Sequence, residues 1–249
     1  MADMIASVGA HEQKLGAMLV SARRARPGGS ALLLEGLTES EIERVNSAGK
    51  RRVIYRGATL FRQDSAQDGI FLIESGRIKV FYVARTGREI TLAYWHPGNF
   101  VGGPDVFSKS THVWSGVAAL NSSVLYLPGD VLREMVSEIP ALAINVIRGL
   151  SFKGRCYSML AQMLGTHSPS ERLAHLLLQL MELYGVEEPK GTLIAASFTH
   201  ADIAHMIGVT RQWVTKALKQ HAEAGILCTH GASIVVRDPG ALKDLSEGQ

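Results

Sequence analysis

The sequence predicts an α+β protein made of an antiparallel β-barrel or jelly roll, one long helix and a C-terminal winged helix-turn-helix. Three observations support this order. Short β-prone runs separated by glycines fill residues 52–128, a helical apolar stripe covers Ser137–Gly165, and two short helices flank a glycine turn within Thr199–Gly225. We therefore divide the chain into an N-terminal extension (1–30), a barrel domain (31–136), a long helix (137–166) and a C-terminal domain (167–249).

Composition limits the class of protein. The 249 residues have a net charge of +3, with 46% hydrophobic and 20% charged residues, as in a globular protein long enough for two domains. Cys156 and Cys228 lie far apart without a CxxC motif, which fits a reducing compartment. We find neither a signal peptide nor an apolar run of about 20 residues, and so expect a cytoplasmic protein with no membrane contact.

Branched and aromatic residues between glycine turns predict the strands of the barrel. Short strands at this spacing are typical of an antiparallel barrel or jelly roll. Ahead of them, Leu34–Ala48 predicts a helix in which Thr38 and Glu41 form a capping box. The predicted strands are Val53–Tyr55, Thr59–Phe61, Ile70–Ile73, Ile78–Val83, Glu89–Tyr94 and Ser123–Leu127.

The long helical segment carries a seam of the coiled-coil type, because its apolar positions advance by alternating steps of four and three. Such a helix needs a partner, and the simplest partner is the same helix of a second subunit. Gly149 and Gly154 each weaken the helix by about 1 kcal/mol relative to alanine, which indicates the close approach of a bulky group. We predict a homodimer whose interface contains Val146, Leu150, Tyr157, Leu160 and Leu164.

The segment Thr199–Gly225 has the pattern of a helix-turn-helix. Thr199 caps the first helix with Asp202 three residues on, Gly208 supplies the left-handed residue of the turn, and Thr210 caps the second helix. The runs on either side of Gly231 predict the hairpin that forms the wing of a winged helix.

The outer face of the second helix suits the major groove of double-stranded DNA. No acidic residue lies between Asp202 and Glu223, and guanidinium, amide and ammonium groups cluster near the amino end of this helix. Trp213 is expected to pack in the core of the domain. The candidate DNA contacts are Thr210, Arg211, Gln212, Thr215, Lys216 and Lys219.

Barrel, long helix and winged helix in this order resemble the Crp/Fnr superfamily of bacterial transcription regulators. The resemblance covers residues 31–245 and rests on GATLFRQDSAQDGIFLIESGRIKV in the barrel and on ADIAHMIGVTRQWVTKALKQ followed by GILCTHGASIVV. It implies a cyclic-nucleotide-binding-like barrel that senses an effector, and a dimerisation helix. It also implies a homodimer that binds a palindromic promoter site, with RNA polymerase as a further partner.

The barrel departs from the cyclic-nucleotide-binding members of this superfamily. Those members hold the ribose with a Gly-Glu pair and the cyclic phosphate with an Arg-Ser pair about ten residues later. Here Gly103 stands at the glutamate position, and Val113 and Trp114 stand at the Arg-Ser pair. A cyclic phosphate without its cation would be a partly buried unpaired charge, at a cost of several kcal/mol. The sequence therefore argues against cyclic AMP, unless a shifted alignment recruits Lys109 or His112.

The expected effector pocket combines this barrel segment with the long helix. Tyr157 and Ser158 align with the helix positions from which the family contacts its effector, and Gly102, Gly103, Val113 and Trp114 complete the pocket. An apolar wall suits an aromatic or hydrophobic small molecule, whose identity the sequence does not give. In the alternative interpretation, Trp114 fills the space and the regulator is independent of a ligand.

Metal cofactors are restricted by the same residues. The N-terminus has no cysteine, which excludes a four-cysteine iron–sulfur cluster. A haem-based gas or redox sensor stays an alternative, with His96 or His112, or His11 in the extension, as axial ligand. A metal-dependent barrel enzyme is not expected, because the barrel has no HxH pair.

The recognition helix also departs from the family. Its pattern there is Arg-Glu with a second Arg four residues after the Glu, and here these positions are Arg211, Gln212 and Lys216. Arginine reads guanine through O6 and N7, whereas glutamine prefers adenine. We therefore predict half-sites that keep the guanine and differ at the base opposite Gln212.

Overall fold

The computed structural model describes residues 17–18, 32–103, 105–107, 109–196, 198–230 and 233–248. The predicted N-terminal extension thus lies outside the described residues, apart from the two-residue strand Ala17–Met18. The described part is the expected α+β protein, with an antiparallel barrel, a long helix and a winged helix-turn-helix in that order. None of its helices is both long enough and apolar enough to cross a membrane.

The barrel is a jelly roll of two antiparallel sheets and one short strand pair. Its sheets have the strand orders β1-β7-β6-β10-β3 and β2-β11-β5-β8, and β4 pairs with β9. All six predicted strands are confirmed. The strands are β1 Ala17–Met18, β2 Lys50–Ile54, β3 Thr59–Phe61, β4 Ala66–Gln67, β5 Gly69–Ser75, β6 Ile78–Val83, β7 Glu89–Trp95, β8 Phe100–Val101, β9 Ser110–Thr111, β10 Ser115–Ala118 and β11 Ser122–Pro128.

Seven described helices flank and follow the barrel. Capping boxes begin the first, fourth and fifth of them, as Thr38 and Glu41 predicted for the first. The predicted long helix begins later than expected, at Pro140, and a separate short helix precedes it. The helices are α1 Glu39–Ala48, α2 Gly129–Glu138, α3 Pro140–Thr166, α4 Pro169–Tyr184, α5 His200–Ile207, α6 Arg211–Glu223 and α7 Pro239–Ser246.

The C-terminal domain is a winged helix. A four-stranded sheet of order β12-β13-β15-β14 packs with α4, α5 and α6 around one apolar core, in which Trp213 is partly buried as expected. Gly208 ends α5 in the left-handed conformation at φ +68°, which confirms the predicted turn. The strands are β12 Gly185–Glu188, β13 Gly191–Ile194, β14 Leu227–His230 and β15 Ser233–Val236.

The apolar stripe of α3 packs inside its own chain, so the predicted dimer seam is wrong. Val146 and Leu160 are only 2% and 5% exposed in the single chain. Leu150 and Tyr157 lie against the barrel, and Leu164 Cδ2 would be 3.0 Å from a Cβ at Gly208. One stripe cannot serve both purposes, because the helix is needed to cover the open side of the barrel core.

A second face of α3, offset from this stripe by one residue and so about 100° around the helix, is free in the single chain, and we call it the outer face. Ile144 and Ile147 are 50% and 62% exposed, a high value for such apolar side chains. The face continues toward the carboxyl end through small residues at alternating steps of four and three. Its members are Ile144, Ile147, Ser151, Gly154, Ser158, Ala161 and Gly165, all exposed.

The barrel and the winged helix touch along β7 and α5. Tyr94 on β7 is buried in the core of the winged helix, 6.2 Å from the ring of Phe198. Arg77 stacks over Tyr94 and donates a hydrogen bond to the hydroxyl of Tyr184 at 3.0 Å. The Arg88 guanidinium donates to the carbonyl of Gly208. The turn of the helix-turn-helix is thus tied to the barrel by polar and apolar contacts.

Gly149 allows α3 to approach the barrel. A Cβ at this position would lie 2.5 Å from Cε1 of Phe100, so the ring occupies the space that a side chain would need. The expectation of a bulky neighbour is therefore confirmed at Gly149. At Gly154, a Cβ would meet nothing within 4 Å, and the expectation is wrong for the single chain.

We predict that Gly149→Ala lowers the free energy of unfolding by about 1–3 kcal/mol, because overpacking against Phe100 outweighs the gain in helix propensity. Gln162→Ala on the same helix is the matched control, since Gln162 is exposed, lies outside the outer face and should change the free energy of unfolding by no more than about 0.5 kcal/mol. Urea unfolding followed by circular dichroism measures both. Equal unfolding midpoints for the two variants would contradict the packing argument.

Candidate effector cavity and nucleic-acid interface

A cavity of about 240 Å³ lies between the barrel and α3. Strands β6, β7 and β8 and the loop after β8 form one wall, and two turns of α3 form the other. The cavity therefore forms where the long helix packs on the barrel, and it is partly open to solvent. Its lining residues are Val80, Trp95, Val101, Gly102, Gly103, Trp114, Leu150, Lys153, Gly154 and Tyr157.

The structure brings four of the six predicted pocket residues together at this cavity: Gly102, Gly103, Trp114 and Tyr157. Val113 and Ser158 are corrections. Val113 is 49% exposed and lies outside the cavity lining, whereas its neighbour Trp114 lines the cavity. Ser158 follows Tyr157 by one helical residue and so lies on the outer face of α3.

Six lining residues were missed by the sequence argument. Leu150 was assigned to the dimer seam, and Val80, Trp95 and Val101 are ordinary inward positions of strands. Lys153 gave a usable signal, because it is the only charged residue in the apolar stripe of α3. A lysine at an otherwise apolar, inward position needs a polar partner. The sequence could therefore have predicted that Lys153 faces a pocket.

Gly103 cannot carry the glutamate of the cyclic-nucleotide-binding pattern in this conformation. A Cβ there would lie 1.9 Å from Oε1 of Gln67. Gln67 is buried and held in place by a hydrogen bond from its Nε2 to the carbonyl of Asp105 at 2.6 Å. The amide of Gln67 therefore fills the space beside Gly103.

Trp114 lines the cavity and does not fill it. Its indole Nε1 donates to the carbonyl of Gly102 at 3.1 Å, which fixes the ring against the wall, 5.4 Å from the ring of Tyr157. Burial raises the pKa of the Tyr157 phenol, so this group stays neutral. The alternative in which Trp114 closes the pocket is wrong for this structure, because about 240 Å³ remains beside it.

The two barrel histidines lie away from the cavity lining. His112 stacks on Phe61 with 4.4 Å between ring centroids, and its Nδ1 is 3.2 Å from the carbonyl of Gly102. His96 is buried, and burial followed by the charge of Arg77 lowers its pKa to about 4. Neither imidazole lines the cavity that would have to hold a haem, so neither is placed to be an axial ligand there. These residues therefore do not fit a haem in the cavity, and His11 lies outside the described residues.

Among the lining residues that the structure describes, Lys153 is the one with a charged side chain. Its Nζ donates to the carbonyl of Phe100 at 2.6 Å and lies 3.3 Å from the centroid of that ring and 5.3 Å from the ring of Trp95. Burial lowers its pKa well below the usual range for lysine. Within the described ranges, no carboxylate forms an ion pair with it.

The predicted DNA contacts share one exposed face at the amino end of α6. Thr210 caps the helix by accepting from the backbone N–H of Trp213 at 3.2 Å. The hydroxyl of Thr215 donates to the carbonyl of Arg211 at 3.0 Å and lies 2.9 Å from Nδ1 of His200. The side chains exposed on this face are Thr210, Arg211, Gln212, Thr215, Lys216 and Lys219.

The charge of this face is positive and accessible to a ligand. Lys219 makes a pair with Glu223 at 3.7 Å, and both side chains are largely exposed, so the pair contributes little and Lys219 stays available. The helix dipole adds partial positive charge at the amino end, where Arg211 and Gln212 lie. The arrangement can bind a polyanion and present donors to it.

Two family models match the chain. The cyclic nucleotide-binding domain matches residues 51–138, and the Crp-like helix-turn-helix domain matches residues 171–245. The CRP-like cAMP-activated global transcriptional regulator of Mycobacterium tuberculosis is 28% identical over 74% of this chain and 82% of that protein. The cyclic AMP receptor protein of Thermus thermophilus is 24% identical over 87% and 97%, respectively.

Solved structures share the fold. The c-di-GMP responsive global regulator CLP of Xanthomonas campestris has a TM-score of 0.73 at 20% identity and covers 80% of this chain and 99% of its own. A CooA mutant from Carboxydothermus hydrogenoformans has a TM-score of 0.68 at 22% identity, over 91% and 99%. From its barrel, its helix-turn-helix and these relatives, the chain belongs to the Crp/Fnr family of DNA-binding transcription regulators, which are not enzymes.

Proposed function

We propose that this regulator is a homodimer that binds a palindromic promoter site through Arg211, Gln212 and Lys216. We further propose that a small molecule other than cyclic AMP controls it from the cavity between the barrel and α3. The observation that carries the proposal is the exposed, carboxylate-free face at the amino end of α6. We also propose that RNA polymerase is a further partner and that the protein acts in the cytoplasm, where bacterial DNA lies.

The geometry of α6 supports reading from the major groove. A recognition helix places its first-turn residues against base edges, and the following turn carries residues that meet phosphates. Arg211 and Gln212 occupy the first turn, and Lys216 and Lys219 follow on the same face. Arg211 would donate to guanine, Gln212 would prefer adenine, and the lysines would neutralise phosphates.

The outer face of α3 supports dimerisation with a second copy of the chain. Ile144 and Ile147 supply the apolar contact, and the small residues beyond them let two helices approach closely. The alternating steps of four and three along this face are those of a helix pair. A symmetric pair also explains two half-sites, whose recognition helices must lie about 34 Å apart, one turn of DNA.

The pocket chemistry supports an effector other than cyclic AMP. Gln67 fills the space beside Gly103, and Val113 turns away from the cavity. Among its described lining residues there is no guanidinium, and the walls are mostly apolar and aromatic. An effector here would touch α3 directly and bias how the two long helices pair, which is the two-state switch we propose.

We predict that Arg211→Ala costs about 1–3 kcal/mol in binding to the selected site and relaxes specificity at one base pair. Lys219→Ala is the matched variant on the same face; it should weaken binding to all sequences alike and reduce the salt slope by about 1. Binding-site selection followed by gel shifts at several salt concentrations measures both effects. An absence of sequence-specific binding, with or without cell extract, would refute the proposed function.

We predict that Ile147→Asp converts the dimer to a monomer, because a carboxylate in the apolar part of the helix pair would be buried without a partner. Val53→Asp is the control, since Val53 is 67% exposed but lies on β2, away from α3. Sedimentation at micromolar concentration gives the mass of each variant. A dimeric Ile147→Asp protein would show that another surface holds the subunits together.

A further inference from the structure

We infer that the effector is a small aromatic anion with a single negative charge, a carboxylate or a phenolate, that pairs with Lys153. Its ring would pack against the aromatic wall formed by Trp95, Trp114 and Tyr157. This inference rests on the proposed function, because it names the class of ligand that the cavity of the regulator would take.

Among the described residues, Lys153 has no counter-ion. Its ammonium has one hydrogen-bond acceptor among the described residues, the carbonyl of Phe100, and otherwise faces the rings of Phe100 and Trp95. A lysine ammonium has three donors, and a carbonyl and aromatic faces compensate only part of the lost hydration. An anion in the cavity would supply the missing charge and the missing acceptors.

A second subunit cannot supply that charge from its own long helix. The 27 residues of α3 contain no aspartate and no glutamate, whereas they contain Arg148, Lys153 and Arg155. Pairing two copies through the outer face would therefore add positive charge beside the cavity and not remove it. A counter-ion for Lys153 therefore comes from neither copy of α3.

The size and the lining of the cavity restrict the rest of the ligand. Its volume of about 240 Å³ is below the about 300–1,000 Å³ of sites for drug-sized molecules, so it fits a compound with one ring. The Trp114 indole N–H is already committed to the carbonyl of Gly102. With one cation and few free donors, the site suits a single negative charge on an apolar body better than a phosphate with its several oxygens.

The protonation of Lys153 depends on whether an anion is bound beside it. Burial lowers the pKa of this lysine in the empty cavity, and a bound anion favours its protonated form again. The ligand is thus held by a charge-assisted hydrogen bond that a neutral analogue of the same shape cannot make. Replacement of Lys153 by an uncharged residue should abolish the preference for the anion and leave the apolar contacts with the ligand unchanged.

Isothermal titration calorimetry on the full chain tests this inference with two pairs of ligands. The first pair is benzoate and its neutral counterpart benzamide. The second pair is 4-nitrophenolate, used at a pH above its pKa, and its neutral counterpart nitrobenzene. We expect the wild type to bind at least one of the two anions about tenfold or more tightly than its neutral counterpart. Whichever anion binds distinguishes a carboxylate from a phenolate. Lys153→Met, which keeps an unbranched side chain one atom shorter and without charge, should lose this preference and still bind the neutral compound.

Arg155→Met is the matched control, since Arg155 lies on the same helix but outside the cavity lining, and it should behave like the wild type. The inference is overturned if the wild type binds neither anion, if it binds neutral compounds equally well, or if Lys153→Met keeps the preference. Tighter binding of cyclic AMP than of either anion would also overturn it. A protein that binds its selected DNA site specifically but ignores both anions refutes this inference alone, whereas loss of all specific DNA binding refutes the proposed function.

Discussion

The alternation of side chains along β7 is the constraint that links the two halves of this regulator. Trp95 points into the barrel, where it lines the cavity and meets Phe152 of α3 edge-on at 6.1 Å. Its neighbour Tyr94 points the opposite way and is buried in the core of the winged helix. Because successive residues of a strand face opposite sides, one peptide unit separates the cavity wall from the core of the winged helix. A displacement of β7 at the cavity would therefore also move Tyr94 in the core of the winged helix.

A second set of contacts joins α3 and the barrel to the turn of the helix-turn-helix. Leu164, near the carboxyl end of α3, packs against Gly208 in the turn of the helix-turn-helix, and Arg88 donates to the carbonyl of Gly208. Glu89 accepts from Lys79 at 2.8 Å and lies 3.0 Å from Nδ1 of His205 on α5. The turn before the recognition helix is thus held between the barrel hairpin and the long helix. Both elements also line the cavity, so a ligand that moved either of them would act directly on the contacts of this turn.

Local signals in the sequence predicted the elements well, and tertiary packing decided what the sequence could not. Capping boxes such as Thr38–Glu41 and the left-handed Gly208 are fixed by neighbouring residues, so their positions followed from the pattern. The two sides of α3 both carry a seven-residue repeat, offset by one position. Periodicity alone favoured the more apolar stripe as the dimer seam, but the barrel needs that stripe for its own core. Which repeat stays exposed depends on long-range contacts such as that of Phe100 with Gly149.

The same offset explains how a small ligand could control a large assembly. Lys153 and Gly154 line the cavity, and Gly154 also belongs to the outer face, one turn away from Ser151 and Ser158. A ligand that draws the ammonium of Lys153 toward it acts on the same turn of helix that a second subunit would contact. It can shift the equilibrium between two arrangements only by as much as its affinity for them differs. A charge pair that forms fully in one position of the helix and poorly in another provides such a difference in affinity. Apolar contacts spread over the cavity wall change little with a small displacement of the helix. Lys153 is therefore where binding energy would become a preference for one arrangement of the two recognition helices.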